Sequence, residues 1–215
     1  MMLGCVMVCG RDEACLQPFI TAWQLVSDIP LHLIVDRADP IEGDYGLPVT
    51  MGVWPASGPI SQPVLESLAE AAAGYAAVLK MDVDCLHMDA AWLEEWQPES
   101  MAAMGFQHCK RPECFMGAAY VLDVETAKRA ALRGDCCQIR AEDVGASQRV
   151  RRLQPNGIHL FSRENDDRCC NAVGWVPDEP LENYAGYALV HCGQHLEHGR
   201  GDIPARMNAL LNAHF

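Results

Sequence analysis

The fold of this chain is decided by the stretch Tyr75–Cys85, YAAVLKMDVDC, in which an apolar run ends in two aspartates one residue apart. The apolar run predicts a short buried strand at Ala77–Met81. If that strand continues, Lys80, Asp82 and Asp84 lie on one face, because side chains alternate along a strand. Paired carboxylates at a strand end are typical of a site for a hard divalent cation such as Mg²⁺ or Mn²⁺, which prefers oxygen ligands. A solvated strand end with an aspartate turn has the same pattern.

Strands and helices alternate through the first half of the chain. Apolar runs predict strands at Leu3–Cys9, Leu31–Val35 and around Val49–Val53. Residues at helical spacing predict helices at Glu13–Val26 and Pro63–Ala76. This alternation predicts an α/β fold with a mainly parallel central sheet flanked by helices.

The carboxyl ends of the predicted strands carry polar residues. Gly10, Asp36 and the pair Asp82 and Asp84 follow three of these strands. Ligands bind at the carboxyl ends of the strands in open α/β sheets. We therefore expect these residues to lie together in one binding cleft.

The second half of the chain has a different pattern, with more short strands and loops. It predicts a strand at Met116–Leu122 and short strands at Ile158–Phe161 and Leu189–His191. It also predicts helices at Val124–Leu132 and Glu142–Leu153.

Composition limits the partners. The chain has 215 residues, enough for one domain with a full core, and its formal net charge is −13. That charge argues against nucleic acid and anionic membrane surfaces as partners. No apolar run reaches the roughly 18 residues that would predict a membrane span. An anionic ligand would need a cation to enter so acidic a protein.

The cysteines and the N-terminus favour a cytoplasmic location. There are 11 cysteines, an odd number, which favours reduced thiols over a disulfide framework. Residues Met1–Gly10 are apolar but have no basic flank ahead of them, so they predict a first strand and not a signal peptide.

A second acidic pair, Glu142 and Asp143, begins the predicted helix Glu142–Leu153. Acidic residues are common at helix starts, where they meet the positive end of the helix dipole. Alternatively, one of them is a general base, because a sugar hydroxyl that attacks an activated carbon needs a carboxylate to take its proton.

A small-residue turn, Gly117 and Ala118, precedes an apolar strand. A glycine there lets the backbone approach a ligand closely. The alternative is a tightly packed strand entry.

The one histidine cluster is His191–His198, HCGQHLEH, in which His191 follows an apolar strand. One imidazole at that strand end can complete a metal site begun by carboxylates elsewhere. The alternatives are a polar loop, or a zinc site in which His191, His195 and His198 share a helix face with Cys192 nearby. Gly193 and the preceding strand argue against a helix that begins at His191.

The order of these motifs resembles a family. The motifs occur along the chain in a fixed order: a strand ending in Asp-x-Asp, then Gly117-Ala118-Ala119-Tyr120-Val121-Leu122, then Glu142-Asp143-Val144, then a strand ending in His191. This order is similar to that in the metal-dependent glycosyltransferases of the GT-A fold. The nearest likeness is to the β1,3-galactosyl- and N-acetylglucosaminyl-transferases, including the fringe type. The resemblance implies one GT-A domain over residues 1–215, with a nucleotide-binding half at 1–85 and an acceptor and catalytic half at 86–215.

The resemblance also implies roles for single residues. Asp84 and His191 would ligate Mn²⁺ or Mg²⁺, with Asp82 near the metal, ribose or sugar. Asp143 would be the catalytic base, with Glu142 turned towards a loop or the acceptor. The positions expected to bind the donor are Cys9, Gly10, Arg11, Asp36, Lys80, Asp82, Gly117 and Ala118.

The implied function is transfer of a sugar from a nucleotide-sugar donor, most simply a UDP-sugar, to a hydroxyl acceptor with inversion. One alternative is a sugar nucleotidyltransferase, but the Cys9–Glu13 segment lacks the glycine-rich loop of those enzymes. Another is a non-catalytic zinc-binding or structural protein of the same fold.

Overall fold

A computed structural model describes residues 1–54, 60–108, 110–132, 141–161, 180–184, 187–192 and 203–215, and the backbone of 172–174. The strands are β1 (Met2–Val8), β2 (Leu31–Asp36), β3 (Val49–Gly52), β4 (Ala77–Asp82), β5 (Cys85–His87), β6 (Ala103–His108), β7 (Arg111–Asp123), β8 (Ile158–Phe161), β9 (Ala172–Gly174) and β10 (Leu189–His191). The helices are α1 (Leu16–Val26), α2 (Ser61–Ala71), α3 (Val124–Ala131), α4 (Glu142–Leu153) and α5 (Ile203–His214).

Seven strands form the central sheet in the order β3-β2-β1-β4-β7-β6-β8. Strand β1 runs parallel to β2 and β4, β2 runs parallel to β3, and β6 runs parallel to β8. Only β7 is antiparallel to its neighbours in this sheet, β4 and β6. The prediction of an α/β fold with a mainly parallel central sheet is confirmed.

Both faces of the central sheet are covered, which is why its middle strands are apolar throughout. Side chains of β1 alternate between two cores: Leu3 and Cys5 pack in one, and Val6 and Val8 in the other. Helices α2, α3 and α4 cover the first face, while α1 and α5 cover the second. The result is a three-layer structure whose strand ends remain free to form a site.

A second, three-stranded sheet has the order β5-β10-β9. Only two residues, Val83 and Asp84, separate the end of β4 at Asp82 from the start of β5, so this sheet joins the carboxyl end of the central one. Strand β10 runs antiparallel to β5 and places His191 directly opposite Cys85. The chain therefore folds back to bring its C-terminal part to the aspartates.

Element bounds differ from the prediction in three places, each for a local reason. The predicted helix from Glu13 starts as a 3-10 turn over Gly10–Cys15, and α1 begins at Leu16. Helix α2 ends at Ala71 instead of Ala76, close to Gly74, whose φ of 94° a helix cannot adopt. Strand β7 begins five residues early because it forms a hairpin with β6, in which Arg111 pairs with His108. Among the described residues, no helix has the length and apolarity needed to cross a bilayer.

Candidate active site

A cleft of about 590 Å³ lies at the carboxyl ends of β1, β2 and β4. It is at this edge that ligands bind in open α/β sheets. The predicted site residues that line it are Cys9, Arg11, Asp36, Lys80, Asp82, Asp84 and Glu142. The other predicted residues, Gly10, Gly117, Ala118, Asp143 and His191, lie behind or beside this lining.

Asp84 and His191 form a pair at the cleft. Strand β4 ends at Asp82, so Asp84 lies in the following turn and not on the strand face that the sequence suggested. His191 Nε2 hydrogen-bonds with Asp84 Oδ2 at 3.3 Å, and each side chain is about a quarter exposed, at 26% and 27%. Residues 107 apart in the sequence therefore meet at one point.

The charges of this pair are matched. Burial alone would raise the pKa of Asp84, but the hydrogen bond and charge of His191 outweigh it and lower that pKa. Burial alone would lower the pKa of His191, but Asp84 outweighs it and raises that pKa. The pair therefore offers an anionic oxygen beside a ring nitrogen, a donor set that suits a divalent cation.

Lys80 lies beneath the carboxylates and is almost fully buried, with 3% of its side chain exposed. Its Nζ donates to Asp82 Oδ1 at 2.5 Å and to the Gly117 carbonyl at 2.5 Å, and lies 3.4 Å from Glu142 Oε2. Burial acts to lower the pKa of Lys80, but Asp82 and Glu142 outweigh it, so the pKa is raised. The ammonium group therefore holds protein carboxylates in place, although it was expected at the donor.

Asp82 is held differently from Asp84. Burial is the main reason that its pKa is raised; Lys80 opposes this shift and the nearby charge of Asp84 adds to it. One of its oxygens is engaged by Lys80. Asp82 is thus tied to a buried ammonium group through one oxygen, whereas both oxygens of Asp84 have partners, Oδ2 in His191 and Oδ1 in the Cys85 thiol.

Glu142, the first residue of α4, faces the cleft. The buried Tyr120 hydroxyl donates a hydrogen bond to Glu142 Oε1, and Lys80 lies beside Oε2. Burial raises the pKa of Glu142, with Lys80 opposing the shift, and burial with the Glu142 charge raises the pKa of Tyr120. Tyr120 was not predicted as a site residue, because within an apolar strand it is indistinguishable from a core aromatic.

Asp143 points the other way. Its Oδ2 accepts the Gly117 amide at 2.9 Å, its Oδ1 accepts the Val144 amide at 2.7 Å, and His108 Nε2 lies 3.6 Å from Oδ2. The sequence suggested the reverse, with Asp143 at the donor and Glu142 turned away. The reason is that Lys80 and Tyr120 draw Glu142 inwards, a pairing that depends on the fold.

Gly117 and Ala118 lie in the middle of β7, and not in a turn ahead of a strand as the sequence suggested. A Cβ at Gly117 would lie 3.4 Å from Asp143 Oδ2, an ordinary van der Waals contact, so packing there does not require a glycine. Ala118 next to it is buried in the core. Both residues therefore form part of the strand behind the cleft.

The segment after β1 forms one wall of the cleft. The Cys9 thiol donates to Asp12 Oδ2 at 2.9 Å, and burial followed by Asp12 raises the pKa of Cys9 to about 12. The Arg11 side chain is 63% exposed and remains available to a ligand. Gly10 is needed for packing, because a Cβ there would lie 2.5 Å from the Pro40 carbonyl oxygen.

Asp36 ends β2 at the far side of the cleft. Its Oδ1 accepts the Ala38 amide at 3.0 Å, which fixes the turn that follows the strand. Asp36 also lines the cleft. This placement matches the position expected from the strand ends in the sequence.

One group of three potential metal ligands occurs among the described residues: Asp84, Cys85 and His191, whose donor atoms lie within 4.8 Å of one another. Cys85 was not predicted, although it directly follows the Asp-x-Asp motif. The alternative zinc site required a helix from His191, but His191 ends a strand. His195 and His198 lie outside the described residues.

The fold, but not the sequence, matches known proteins. No protein-family model matches this chain, and no curated protein does. Two solved structures of LgtC are similar over 99% of this chain and 96% of theirs. One is an active-site mutant, at 13% identity and a TM-score of 0.58. The other is the galactosyltransferase LgtC in complex with donor and acceptor sugar analogues, at 12% identity and a TM-score of 0.59.

A third structure is similar over a smaller part. It is a glucose-1-phosphate thymidylyltransferase, described as putative, from Bacillus anthracis in complex with a sucrose, at 13% identity and TM-score 0.51, covering 75% of this chain and 87% of that one. These likenesses confirm the GT-A-type fold. The finer resemblance to the fringe-like group stays a prediction.

Proposed function

We propose that this protein is a metal-dependent glycosyltransferase that moves a sugar from a nucleotide-sugar donor to a hydroxyl acceptor. One observation carries the proposal: Asp84 and His191 pair at 3.3 Å at the rim of a cleft that also contains Asp82 and Glu142. A nucleotide diphosphate needs a cation at such an acidic place. The similarity of fold to a galactosyltransferase supports this function.

The residues present suit a divalent cation such as Mn²⁺ or Mg²⁺. Asp84 supplies an oxygen, His191 a nitrogen, and Asp82 adds a second carboxylate nearby. When bound, the ion neutralises charge that develops on the leaving diphosphate. Binding of a donor without it is unfavourable, because the net charge of the protein is −13.

The nucleotide would occupy the part of the cleft near β1 and β2. Arg11 is the exposed cation there, and Asp36 presents a carboxylate oxygen able to accept from ribose hydroxyls. Cys9 forms part of the wall. A UDP-sugar is the donor that we infer.

The catalytic carboxylate is the proposal's second part, and the geometry favours Glu142 over Asp143. Glu142 lines the cleft, and burial raises its pKa, which makes its carboxylate the stronger base. Asp143 instead binds two backbone amides, which makes it a positioning residue for Gly117. A base that removes the acceptor proton gives in-line attack and inversion, whereas a carboxylate nucleophile would give retention.

The decisive experiment is thermal unfolding with UDP and a panel of nucleotide sugars, with and without Mn²⁺ or Mg²⁺. A ligand that binds the native state raises the melting temperature. We expect UDP to raise it only when the metal is present. Equal stabilisation by UDP in EDTA, or none under any condition, would contradict the proposal.

A sugar nucleotidyltransferase is the second candidate, because one similar structure is a thymidylyltransferase. The two reactions release different products from a nucleotide-containing substrate. Incubation with radiolabelled substrates distinguishes them: label in free UDP supports sugar transfer, and label in pyrophosphate supports nucleotidyl transfer. Zinc that stays bound through purification, without any response to nucleotides, would favour a non-catalytic protein.

A further inference from the structure

We propose that Cys85 is a third metal ligand, and that Asp84, Cys85 and His191 form a centre that favours Zn²⁺ or Co²⁺ over Mn²⁺ and Mg²⁺. This inference rests on the proposed function only in placing a metal at Asp84 and His191. It adds a thiolate to that site. The added ligand changes which ions the protein holds most tightly.

The first argument is the register of the small sheet. Cys85 and His191 are directly opposed in the antiparallel pair of β5 and β10. Directly opposed residues of an antiparallel pair have neighbouring side chains on one face. Asp84 joins them because the turn before β5 is tied to β10 by the Cys192 amide, which donates to the Asp84 carbonyl at 2.9 Å. Paired backbone segments therefore fix all three positions.

The second argument is distance. Cys85 Sγ lies 3.7 Å from Asp84 Oδ1, and His191 Nε2 lies 3.3 Å from Asp84 Oδ2. A tetrahedral zinc ion has bonds of about 2.0–2.3 Å to such ligands, so its ligand atoms are separated by about 3.3–3.7 Å. The existing separations suit an ion between the three groups after small side-chain rotations.

The third argument is exposure and charge. Cys85 is fully buried, whereas Asp84 lines the cleft and His191 beside it is a quarter exposed, so an ion held by these three groups would have its fourth position on the exposed side. Three protein ligands with one open position are typical of a reactive zinc site. With a thiolate, a carboxylate and a neutral imidazole, a divalent ion is electrically balanced in this half-buried place. The displaced thiol proton passes to the buffer.

The fourth argument is the softness of the ligand. Thiolates select zinc and similar ions, whereas oxygen-only sites suit Mg²⁺ and Mn²⁺. Without Cys85, the site consists of a carboxylate and an imidazole, and it discriminates less between Zn²⁺ or Co²⁺ and Mn²⁺ or Mg²⁺. The cysteine is thus the residue that decides metal preference.

The test is titration of the reduced wild-type protein with Co²⁺, followed by absorbance. A thiolate ligand produces a sulfur-to-cobalt charge-transfer band. We expect one such band that saturates at one ion per chain, is lost in Cys85→Ser and Cys85→Ala, and is kept in Cys114→Ser. Cys114 is the matched control, because it is equally buried but lies in β7 away from the site.

Affinity gives a second readout. Loss of an outer-shell partner weakens metal binding about 10–100-fold, so loss of a direct ligand should weaken Zn²⁺ binding at least about tenfold. The loss of affinity for Mn²⁺ should be smaller, because a thiolate ligand adds less to the affinity for Mn²⁺. Direct titration of both variants with both ions measures the difference.

The failures are distinguishable. No charge-transfer band in the wild type, or an unchanged band in either Cys85 variant, overturns the Cys85 inference, and the wild-type result needs no variant to fold. Absence of Mn²⁺-dependent stabilisation by UDP in the wild type overturns the proposed function, and leaves the cobalt result to decide the role of Cys85 by itself.

Discussion

At the scale of single residues, the site consists of an outer pair, Asp84 and His191, and an inner network around Lys80. Asp84 lines the cleft with His191 beside it, while Lys80 holds Asp82 and Glu142 from below. The outer groups are part-exposed, so their removal leaves no large cavity. Lys80 and Glu142 are largely buried, so each depends on its partner, whereas Asp82 keeps 35% of its side chain exposed. Substitutions in the two sets therefore have different consequences.

Substitution of the outer pair should remove function and preserve the fold. We expect Asp84→Ala and His191→Ala each to abolish stabilisation by UDP with Mn²⁺, because each removes a proposed ligand. Thermal unfolding with and without ligand measures both effects. Asp28→Ala is the control, since Asp28 is exposed at the opposite end of the sheet. If either site variant unfolds while its folded fraction binds normally, that residue is structural.

Glu142 and Asp143 can be separated by isosteric changes. We expect Glu142→Gln to keep donor binding and to lower the transfer rate by roughly 10²–10⁴-fold, the usual worth of general acid–base catalysis. Asp143→Asn should have a smaller effect, because its amide oxygen can still accept one backbone hydrogen bond. The measurement is kcat with saturating donor for each variant. The opposite ranking would return the catalytic role to Asp143, as the family resemblance implies.

At the scale of elements, β5 links the site to the core. Its first residue, Cys85, lies beside Asp84 and His191, and its last, His87, contacts the rings of Phe19 and Trp23 of α1. His87 is 1% exposed, and neither ring nitrogen has a partner among the described residues. A polar ring in that position lowers the stability of the fold and makes that stability sensitive to acid.

Burial lowers the pKa of His87 to about 3, below the 6.5 expected in the unfolded chain. The unfolded state therefore binds the proton first, and stability is lost as the pH falls from 6.5 towards 3. As the pH falls from 7.5 to 5.5, protonation of His87 in the unfolded state should lower the free energy of unfolding by about 1.4 kcal/mol. The His87→Leu variant should not show this loss of stability with falling pH. It should also be more stable than the wild type at neutral pH, since leucine has no ring nitrogen to leave without a hydrogen-bond partner.

Urea unfolding at the two pH values measures this effect. The comparison of wild type with His87→Leu is needed, because His191 has a raised pKa and contributes with the opposite sign. An equal pH dependence in both proteins would show that His87 is protonated in the folded state or finds a partner.

At the scale of the whole molecule, charge and sheet topology act together. The order of the strands gathers the ends of β1, β2 and β4 at one edge, and the small sheet adds His191. The net charge of −13 surrounds this edge with negative potential. We therefore expect entry of an anionic ligand to depend on a bound cation.

The same charge predicts that nucleic acid does not bind. At physiological ionic strength we expect no complex with single- or double-stranded DNA or with RNA, because binding to phosphate backbones needs clustered cations. Electrophoretic mobility shift with fluorescent oligonucleotides is a direct measurement, and Mn²⁺ should be included to test bridging. A salt-sensitive complex at micromolar protein would show a local basic surface that the net charge conceals.

The sequence by itself determined the layered fold and the first part of the site. Apolar runs and their spacing are local signals, so most strands, four of the five helices and the placement of Asp36 and Asp82 at strand ends could be predicted. Strands β5, β6 and β9 and helix α5 were not predicted, and Asp84 lies in the turn after β4. The family resemblance implied that His191 and Asp84 share a metal ion. The two side chains are in contact in the folded chain, and the bound metal stays a prediction. The division into halves at residue 85 and the cytoplasmic location stay predictions.

Tertiary structure alone decided which side chains share the site. Lys80 and Tyr120 turn Glu142 towards the cleft, and β10 brings His191 opposite Cys85. These contacts join residues far apart in the chain, whereas sequence patterns report only on neighbours along it. Buried polar groups must find partners, and the pairing that satisfies them depends on strand order and register. That is why the contacts made by Glu142, Asp143 and Cys85 could be seen only in the folded chain.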